Sequence, residues 1–216
     1  LSETPTTGNI FQFVANITDN RDVSRAYVKY QFDNGKSRNL SLEYRHNLYT
    51  KEITVPSSAR ILYYTYSAKD TSNNWISVNY TRHVKDVCPP TITDRSSDPT
   101  TGDNFTFKVD SVENVEIVHA YVKYSIDGLG LTIITLDENF SANITIPPSS
   151  RVITYNITVM DVGGNIASLY VVKDIVDNDP PTINDLSGVP KRGKNFTIVC
   201  NVSDNWEVKN VSLTYE

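Results

Sequence analysis

The pentapeptide Ala-Tyr-Val-Lys-Tyr occurs twice in this chain, at Ala26–Tyr30 and at Ala120–Tyr124, and a weaker copy, Val-Ser-Leu-Thr-Tyr, lies at Val211–Tyr215. The similarity extends upstream of each copy. There it includes TGNIF (7–11), TGDNF (101–105) and RGKNF (192–196). A spacing of about 90 residues between copies is typical of tandem modules, each of which is one structural unit. The chain is therefore predicted to be an array of similar domains.

Paired prolines mark where each new copy begins, since Pro-Pro-Thr-Ile occurs at Pro89–Ile92 and again at Pro180–Ile183. These markers predict three modules: repeat 1 (1–86), repeat 2 (87–178) and repeat 3 (179–216). Leu1 aligns with Leu186, so we expect repeat 1 to begin inside its first strand. Residue 216 falls early in the third copy, so we expect repeat 3 to contain only its first strands. Because paired prolines keep a chain extended, we expect the linkers to be short and stiff.

Hydrophobic residues alternate with polar ones in most segments, as Phe11 and Phe13 do around Gln12. This period of two predicts half-buried β-strands. In repeat 2 we place seven strands near 91–97, 103–110, 117–126, 131–136, 141–147, 152–160 and 166–174. Seven short strands in about 90 residues predict a β-sandwich, and the whole chain is predicted to be an all-β array of such modules.

The composition argues against several classes of function. The formal net charge of -5 does not suit a nucleic-acid surface. No apolar run approaches the roughly 20 residues of a membrane span. The three histidines, His46, His83 and His119, are not at metal-ligand spacing, and no phosphate loop or nucleophile motif occurs. We therefore expect no enzyme activity and no nucleic-acid partner.

The two cysteines do not form a disulfide framework. Cys88 lies in the first linker, and the sequence leaves open whether it is free or bridges two chains. Cys200 alternates with polar residues beside Ile198 and Val202, so we predict that it is buried as a small apolar side chain.

The N-glycosylation acceptor pattern Asn-x-Ser/Thr occurs ten times, more often than chance predicts. Most of these asparagines fall on the polar side of their strands, where a bulky glycan has room. Glycosylation would require an export route and implies an extracellular location. The ten acceptors are Asn16, Asn39, Asn79, Asn104, Asn139, Asn143, Asn156, Asn195, Asn201 and Asn210.

Acidic and amide side chains gather in the linkers and in the loops that immunoglobulin topology places at the same end of a sandwich. Hard oxygen ligands at such a joint suit Ca²⁺, which would stiffen it. The alternative is that Asp and Asn only cap turns through their own backbone. The predicted ligands are Asp86, Glu113, Glu116 and Asp161 around the first linker, and Asp177, Asp179, Asp204 and Glu207 around the second.

Trp75 and Trp206 lie in loops at that same end of their repeats. An exposed indole there would suit stacking on a sugar ring, whereas a buried one would pack against the neighbouring module. We favour packing.

The combination of Ser/Thr-Asp-Asn before the Tyr-ending strand, Pro-x-Ser-Ser after the fifth strand and Asp-x-x-Gly/Asn-Asn in the last hairpin resembles the immunoglobulin-like repeats of prokaryotic surface proteins. Archaeal S-layer and filament proteins carry such repeats. The resemblance implies a structural, self-assembling, N-glycosylated cell-surface protein whose partners are further copies of itself. The alternatives are an adhesin or carbohydrate-binding stalk and an accessory region of a secreted enzyme.

Overall fold

The computed structural model describes residues 3–215, and every regular element in this range is a β-strand. None of the described elements is therefore a helix that could cross a membrane. The strands of repeat 1 are β1 (Ile10–Ala15), β2 (Val23–Phe32), β3 (Arg38–Ser41), β4 (Glu43–Arg45), β5 (Leu48–Thr54), β6 (Ile61–Asp70) and β7 (Trp75–His83). Those of repeat 2 are β8 (Thr91–Asp94), β9 (Asn104–Val112), β10 (Ile117–Ile126), β11 (Thr132–Thr135), β12 (Ser141–Thr145), β13 (Val152–Asp161) and β14 (Ile166–Asp174). Repeat 3 contains β15 (Thr182–Asp185) and β16 (Cys200–Ser203).

Repeats 1 and 2 each form two sheets. Repeat 1 has the orders β1-β5-β4 and β3-β2-β6-β7, and repeat 2 has the orders β12-β9-β8 and β11-β10-β13-β14. Antiparallel pairing joins β1 to β5, β2 to β6 and β9 to β12. This confirms the predicted all-β, immunoglobulin-like fold, and all seven strands of repeat 2 lie where their alternation placed them, with ends shifted by about three residues at most.

The described chain falls into two compact units. The first comprises Leu1–Thr91, Ser111–His119 and Val159–Ala167, and the second comprises Ile92–Asp110, Ala120–Thr158 and Ser168–Glu216. The first linker and the loops of repeat 2 that contact it thus lie within one unit. The repeat boundaries at 86 and 178 stay a prediction, and residues 1–2, the start of the truncated first strand, lie outside the described residues.

The core of each sandwich contains a matched aromatic group. Phe11 and Phe13 on β1 meet edge to face at 5.2 Å, as do Phe105 and Phe107 on β9 at 5.0 Å. Phe13 and Phe107 are completely buried. Aromatic burial of this kind contributes more than its area alone, because edge-to-face rings attract each other. The two repeats are therefore stabilised by equivalent residues.

A short segment before β1 pairs with the end of the last strand and so fixes where the linker starts. Thr6 forms a parallel bridge with Lys85, and the equivalent Thr100 bridges Val176. The amide of Thr7 donates to the carbonyl of Lys85 at 3.0 Å, one residue before the linker begins. In each of these two repeats, the linker therefore starts beside a threonine of the repeat's own opening segment.

Cys200 is exposed, so the prediction that it is buried was wrong. Its neighbours in the alternating pattern are also open to solvent, with Phe196 44% and Ile198 47% exposed. The reason is that β15 and β16 form a two-stranded sheet that no second sheet covers in the described part of repeat 3.

One buried hydroxyl holds the opening strand of repeat 2 in place. Tyr155 on β13 donates to the carboxylate Oδ2 of Asp94 on β8 at 2.6 Å. Burial and this hydrogen bond both raise the pKa of Tyr155 well above its ordinary value, so the phenol stays protonated and remains a donor.

We predict that Tyr155→Phe lowers the free energy of unfolding by about 1.5–3 kcal/mol, because the half-buried carboxylate of Asp94 loses a hydrogen-bond donor. The matched control is Tyr64→Phe, since Tyr64 is the equivalent side chain of repeat 1. It packs on Phe13 in the same way, at 5.2 Å, where the equivalent pair Tyr155 and Phe107 lies at 5.1 Å. Urea denaturation checks both. Because both variants keep the ring, equal losses would show that the bond to Asp94 makes no specific contribution to stability.

Candidate functional site

A linker carboxylate is held by the same set of contacts in both linkers. In the first, the hydroxyl of Thr7 donates to Oδ1 of Asp86 at 2.8 Å and accepts the amide N–H of Val87 at 3.0 Å. Asp86 Oδ1 also accepts the amide N–H of Cys88 at 3.2 Å. We call this group, with Asn114 described below, the linker clamp.

The second linker repeats the clamp with equivalent residues. Thr101 lies 3.1 Å from Oδ1 of Asp177, and its hydroxyl accepts the amide N–H of Asn178 at 3.4 Å. Asp177 Oδ1 accepts the amide N–H of Asp179 at 3.3 Å. Because two different sequences make the same bonds, the arrangement belongs to the repeat and not to one local sequence.

An asparagine from the following loop completes each clamp. The Asn114 amide donates to the carbonyl of Ser57 at 2.6 Å and to Asp86 Oδ1 at 3.1 Å. The equivalent Asn205 donates to the carbonyl of Pro148 at 2.6 Å and to Asp177 Oδ1 at 3.1 Å. One amide group therefore bonds both a turn of the preceding repeat and the linker carboxylate.

Three acidic side chains meet at the first linker, and we call them the acid cluster: Asp86, Glu113 and Asp161. One carboxylate oxygen of each lies within 4.8 Å of the others. Asp86 and Asp161 are buried, with 7% and 1% of their surface exposed, and Glu113 is half-buried. Three carboxylates at this separation repel one another strongly where water is scarce.

The surrounding loops orient these carboxylates. Glu113 Oε1 accepts the amides of Asn114 and Val115, at 2.7 and 3.1 Å. Asp161 accepts the backbone and side-chain amides of Asn165, both at 2.8 Å. In contrast, Oδ2 of Asp86 and Oε2 of Glu113 are buried without a hydrogen-bond partner among residues 3–215.

Opposing effects act on the pKa of Asp86. Burial alone would raise it, but hydrogen bonds from Asn114, Cys88 and Thr7 outweigh burial and lower the pKa below its ordinary value. Asp86 therefore carries a negative charge at neutral pH, although its donors are all neutral groups.

Gly163 gives the linker room to approach the last hairpin of repeat 2. An added Cβ would lie 2.8 Å from the carbonyl oxygen of Asp86 and 2.9 Å from the side-chain nitrogen of Asn165. Both separations are too short for real Cβ contacts. A residue larger than glycine would therefore push the linker away from the acid cluster.

The structure brings together three of the eight predicted metal ligands. Glu116 does not join them, because it pairs with Arg60 at 3.4 Å. Asp177 and Asp179 both lie against the hydroxyl of Thr101, at 3.1 and 3.0 Å. Asp204 caps its own turn by accepting the amides of Trp206 and Glu207, as the turn-capping alternative predicts.

The two tryptophans differ. Trp206 is half-buried and donates from Nε1 to the carbonyl of Ser150 at 3.2 Å, while Arg151 lies over its ring at 4.0 Å. Trp75 is 57% exposed and stacks on Tyr27. Packing, which we favoured for both, describes Trp206 better than Trp75.

Sequence reasoning missed Thr7, Thr101 and Gly163. Both threonines lie in the repeated Thr-Thr-Gly opening, so the repeat itself contained the signal. Gly163 and Gly164 occupy the positions of Ser72 and Asn73 in repeat 1. Asn73 and Gly164 both have a positive φ, at 72° and 83°, which explains the second glycine but not the first.

Comparison with known proteins gives only distant structural likenesses. No family model matches the chain, and no curated protein matches it. Among solved structures, a tetra-tandem repeat from the extending region of a large adhesion protein is 11% identical, with a TM-score of 0.39 over 92% of this chain and 60% of that one. A bacterial ice-binding adhesin is 13% identical, with a TM-score of 0.37 over 82% and 62%. Dpr2 Ig1-Ig2 in complex with DIP-Theta Ig1-Ig3 is 14% identical, with a TM-score of 0.44 over 86% and 68%.

The chain thus spans about 60% of the length of the two adhesin structures. All three TM-scores are below 0.5. The fold assignment therefore depends on the strand order and register described above.

We predict that Asn114→Ala lowers the free energy of unfolding by about 1–2 kcal/mol and speeds proteolysis in the first linker, because Asp86 loses a donor and the Ser57 turn loses its contact. The control is Asn20→Ala at the equivalent, exposed position of repeat 1, which we expect to change stability by less than about 0.5 kcal/mol. Thermal unfolding and timed protease digestion measure both effects. If the first linker is cut no faster in Asn114→Ala than in the control, Asn114 does not hold it.

Proposed function

We propose that this chain is a spacer segment of an extracellular surface protein, in which immunoglobulin-like repeats follow one another through fixed linkers. The repeated linker clamp is the observation that supports this most directly. A flexible tether needs no hydrogen-bonded carboxylate in its linker, whereas both linkers here hold one with equivalent donors, buried at Asp86 and half-buried at Asp177. Burial of a charged group is costly unless it is hydrogen-bonded, so the clamp is expected only where the linker conformation matters. We propose no catalytic activity.

The glycosylation acceptors support an extracellular location. Nine of the ten asparagines have exposed side chains, and Asn156 on the central strand β13 is half-buried. Glycans on these positions would cover the outer faces of the sheets without entering the core. We therefore propose N-glycosylation at the exposed acceptors.

The acidic linkers also suit a hard divalent cation. Carboxylate oxygens are the ligands that Ca²⁺ prefers, and an ion shared between a linker and a loop would restrict the linker. Ca²⁺ is therefore the cofactor we propose for this spacer.

A second candidate is a self-assembling subunit of an S-layer or a filament. Its support is the edge strand β7, which pairs with β6 alone among the described strands and exposes Ile76, Val78 and Tyr80 by 63%, 44% and 43%. Open edges with apolar side chains invite pairing with another copy. Electron microscopy of material from the native cell separates the candidates: ordered sheets or fibres support assembly, and dispersed molecules support an adhesin-like stalk.

We predict that the native protein carries N-glycans and lies at the cell surface. Glycopeptide mass spectrometry should find glycans on several of the nine exposed acceptors, with the lowest occupancy at Asn156. Protease treatment of intact cells should remove the protein, while a cytosolic protein serves as the intact control. Complete absence of glycans together with protection from external protease would contradict the extracellular proposal.

A further inference from the structure

The acid cluster has an unusual imbalance of charge. Asp86, Glu113 and Asp161 converge within 4.8 Å, yet the groups that donate to them are hydroxyls, peptide amides and side-chain amides. None of these donors is positively charged. The three acids are therefore held together without a positive group of the protein to neutralise their charge.

A second, independent observation points to a ligand. Asp86 is more than nine-tenths buried, and its Oδ2 has no hydrogen-bond partner, as is also true of Oε2 of Glu113. More than nine in ten buried polar groups in native proteins find a partner. Two unpartnered carboxylate oxygens within one cluster are what remains when the group that bonds them is a bound ion.

We propose that Asp86, Glu113 and Asp161 bind a single Ca²⁺ ion, and that this ion fastens the first linker to two loops of repeat 2. The inference rests on the proposed spacer function and identifies the site and the ion. Ca²⁺–oxygen distances are about 2.3–2.6 Å, so oxygens of one coordination shell lie up to about 5 Å apart, in keeping with the cluster. Water would complete the shell, since Ca²⁺ takes about six to eight oxygens.

The cluster favours a hard cation over a soft one. Its ligand atoms are all carboxylate oxygens, whereas zinc sites in proteins usually include sulfur or imidazole nitrogen. Cys88 lies two residues from Asp86, but its sulfur lies against the hydroxyl of Thr7 at 3.5 Å.

The proposed site has fewer protein ligands than the sequence predicted. Glu116 is paired with Arg60, and Asp177 and Asp179 contact Thr101. The Asn205 amide also donates to Asp177 at 3.1 Å and to Asp179 at 3.4 Å, so these acids have partners that do not require an ion. The five predicted ligands outside the cluster are therefore not assigned to this Ca²⁺.

The test is isothermal titration of the metal-stripped chain with CaCl₂, combined with thermal unfolding in EDTA and in Ca²⁺. We expect one ion per chain and a rise of several degrees in Tm at saturating Ca²⁺, because a ligand that binds only the folded state stabilises it. Glu113→Gln keeps the side-chain shape and an oxygen for the amides of Asn114 and Val115, but removes the charge. It should weaken Ca²⁺ binding at least tenfold.

The sign of the stability change distinguishes an ion site from a structural role. Without its ion the cluster is strained by repulsion, so Glu113→Gln should unfold at the same temperature as the parent chain, or higher, in EDTA. In saturating Ca²⁺, Glu113→Gln should show little of the rise in Tm that Ca²⁺ gives the parent chain. Asp204→Asn, at the equivalent position of repeat 3, is the control and should bind Ca²⁺ like the parent chain.

Three results would overturn the proposal: no heat of binding at millimolar Ca²⁺, equal affinity in Glu113→Gln and the parent chain, or equal affinity for Mg²⁺ and Ca²⁺. The spacer function would survive each of them if the linker amides stay protected from exchange in EDTA. The spacer function alone would be contradicted if the linker amides exchange freely while Ca²⁺ still binds.

Discussion

The hydrogen bond from the Thr7 hydroxyl to the Asp86 carboxylate is the contact on which the first linker depends. Thr7 is itself placed by backbone pairing, because its amide bonds the carbonyl of Lys85 at the end of repeat 1. The contacts that hold the first residues of the linker therefore come from repeat 1 itself and do not require the next repeat. Once Asp86 is fixed, a single amide from Asn114 suffices to connect linker, preceding turn and following loop.

The two linkers show how one arrangement tolerates different sequences. Where the second linker has Asp179, whose Oδ2 lies 3.0 Å from the Thr101 hydroxyl, the first has Cys88, whose sulfur lies 3.5 Å from the Thr7 hydroxyl. A hydroxyl has a single hydrogen to donate, so Thr101 can serve only one of its nearby oxygens at a time. The shared contacts are those to the first linker aspartate, and they define the clamp.

The sequence predicted the fold well because its signals are local and repeated. Alternation predicted where the strands lie, and it predicted that Phe11 and Phe13 lie on the apolar face of their strand. It also predicted that acids would gather at the linkers, but could not tell Glu113 from Glu116. Their side chains lie three residues apart in one loop, and only the position of Arg60 decides which one is paired elsewhere.

Other features depend on contacts between residues far apart in the chain. Thr7 and Asp86 are 79 positions apart, and no periodic pattern relates a hydroxyl in one segment to a carboxylate in another. Gly163 is required by the approach of the linker backbone, which only the folded chain reveals. Alternation likewise predicted that Cys200 is buried, but burial of a strand face also requires a second sheet packed against it.

Hydrogen–deuterium exchange of the linker amides, resolved by NMR, tests whether the clamp holds both linkers in one conformation. Val87 and Cys88 donate to Thr7 and Asp86, and Asn178 and Asp179 donate to Thr101 and Asp177. The clamp predicts that these four amides exchange as slowly as amides at the ends of the neighbouring strands. Exchange at the rate of an unstructured peptide would contradict it.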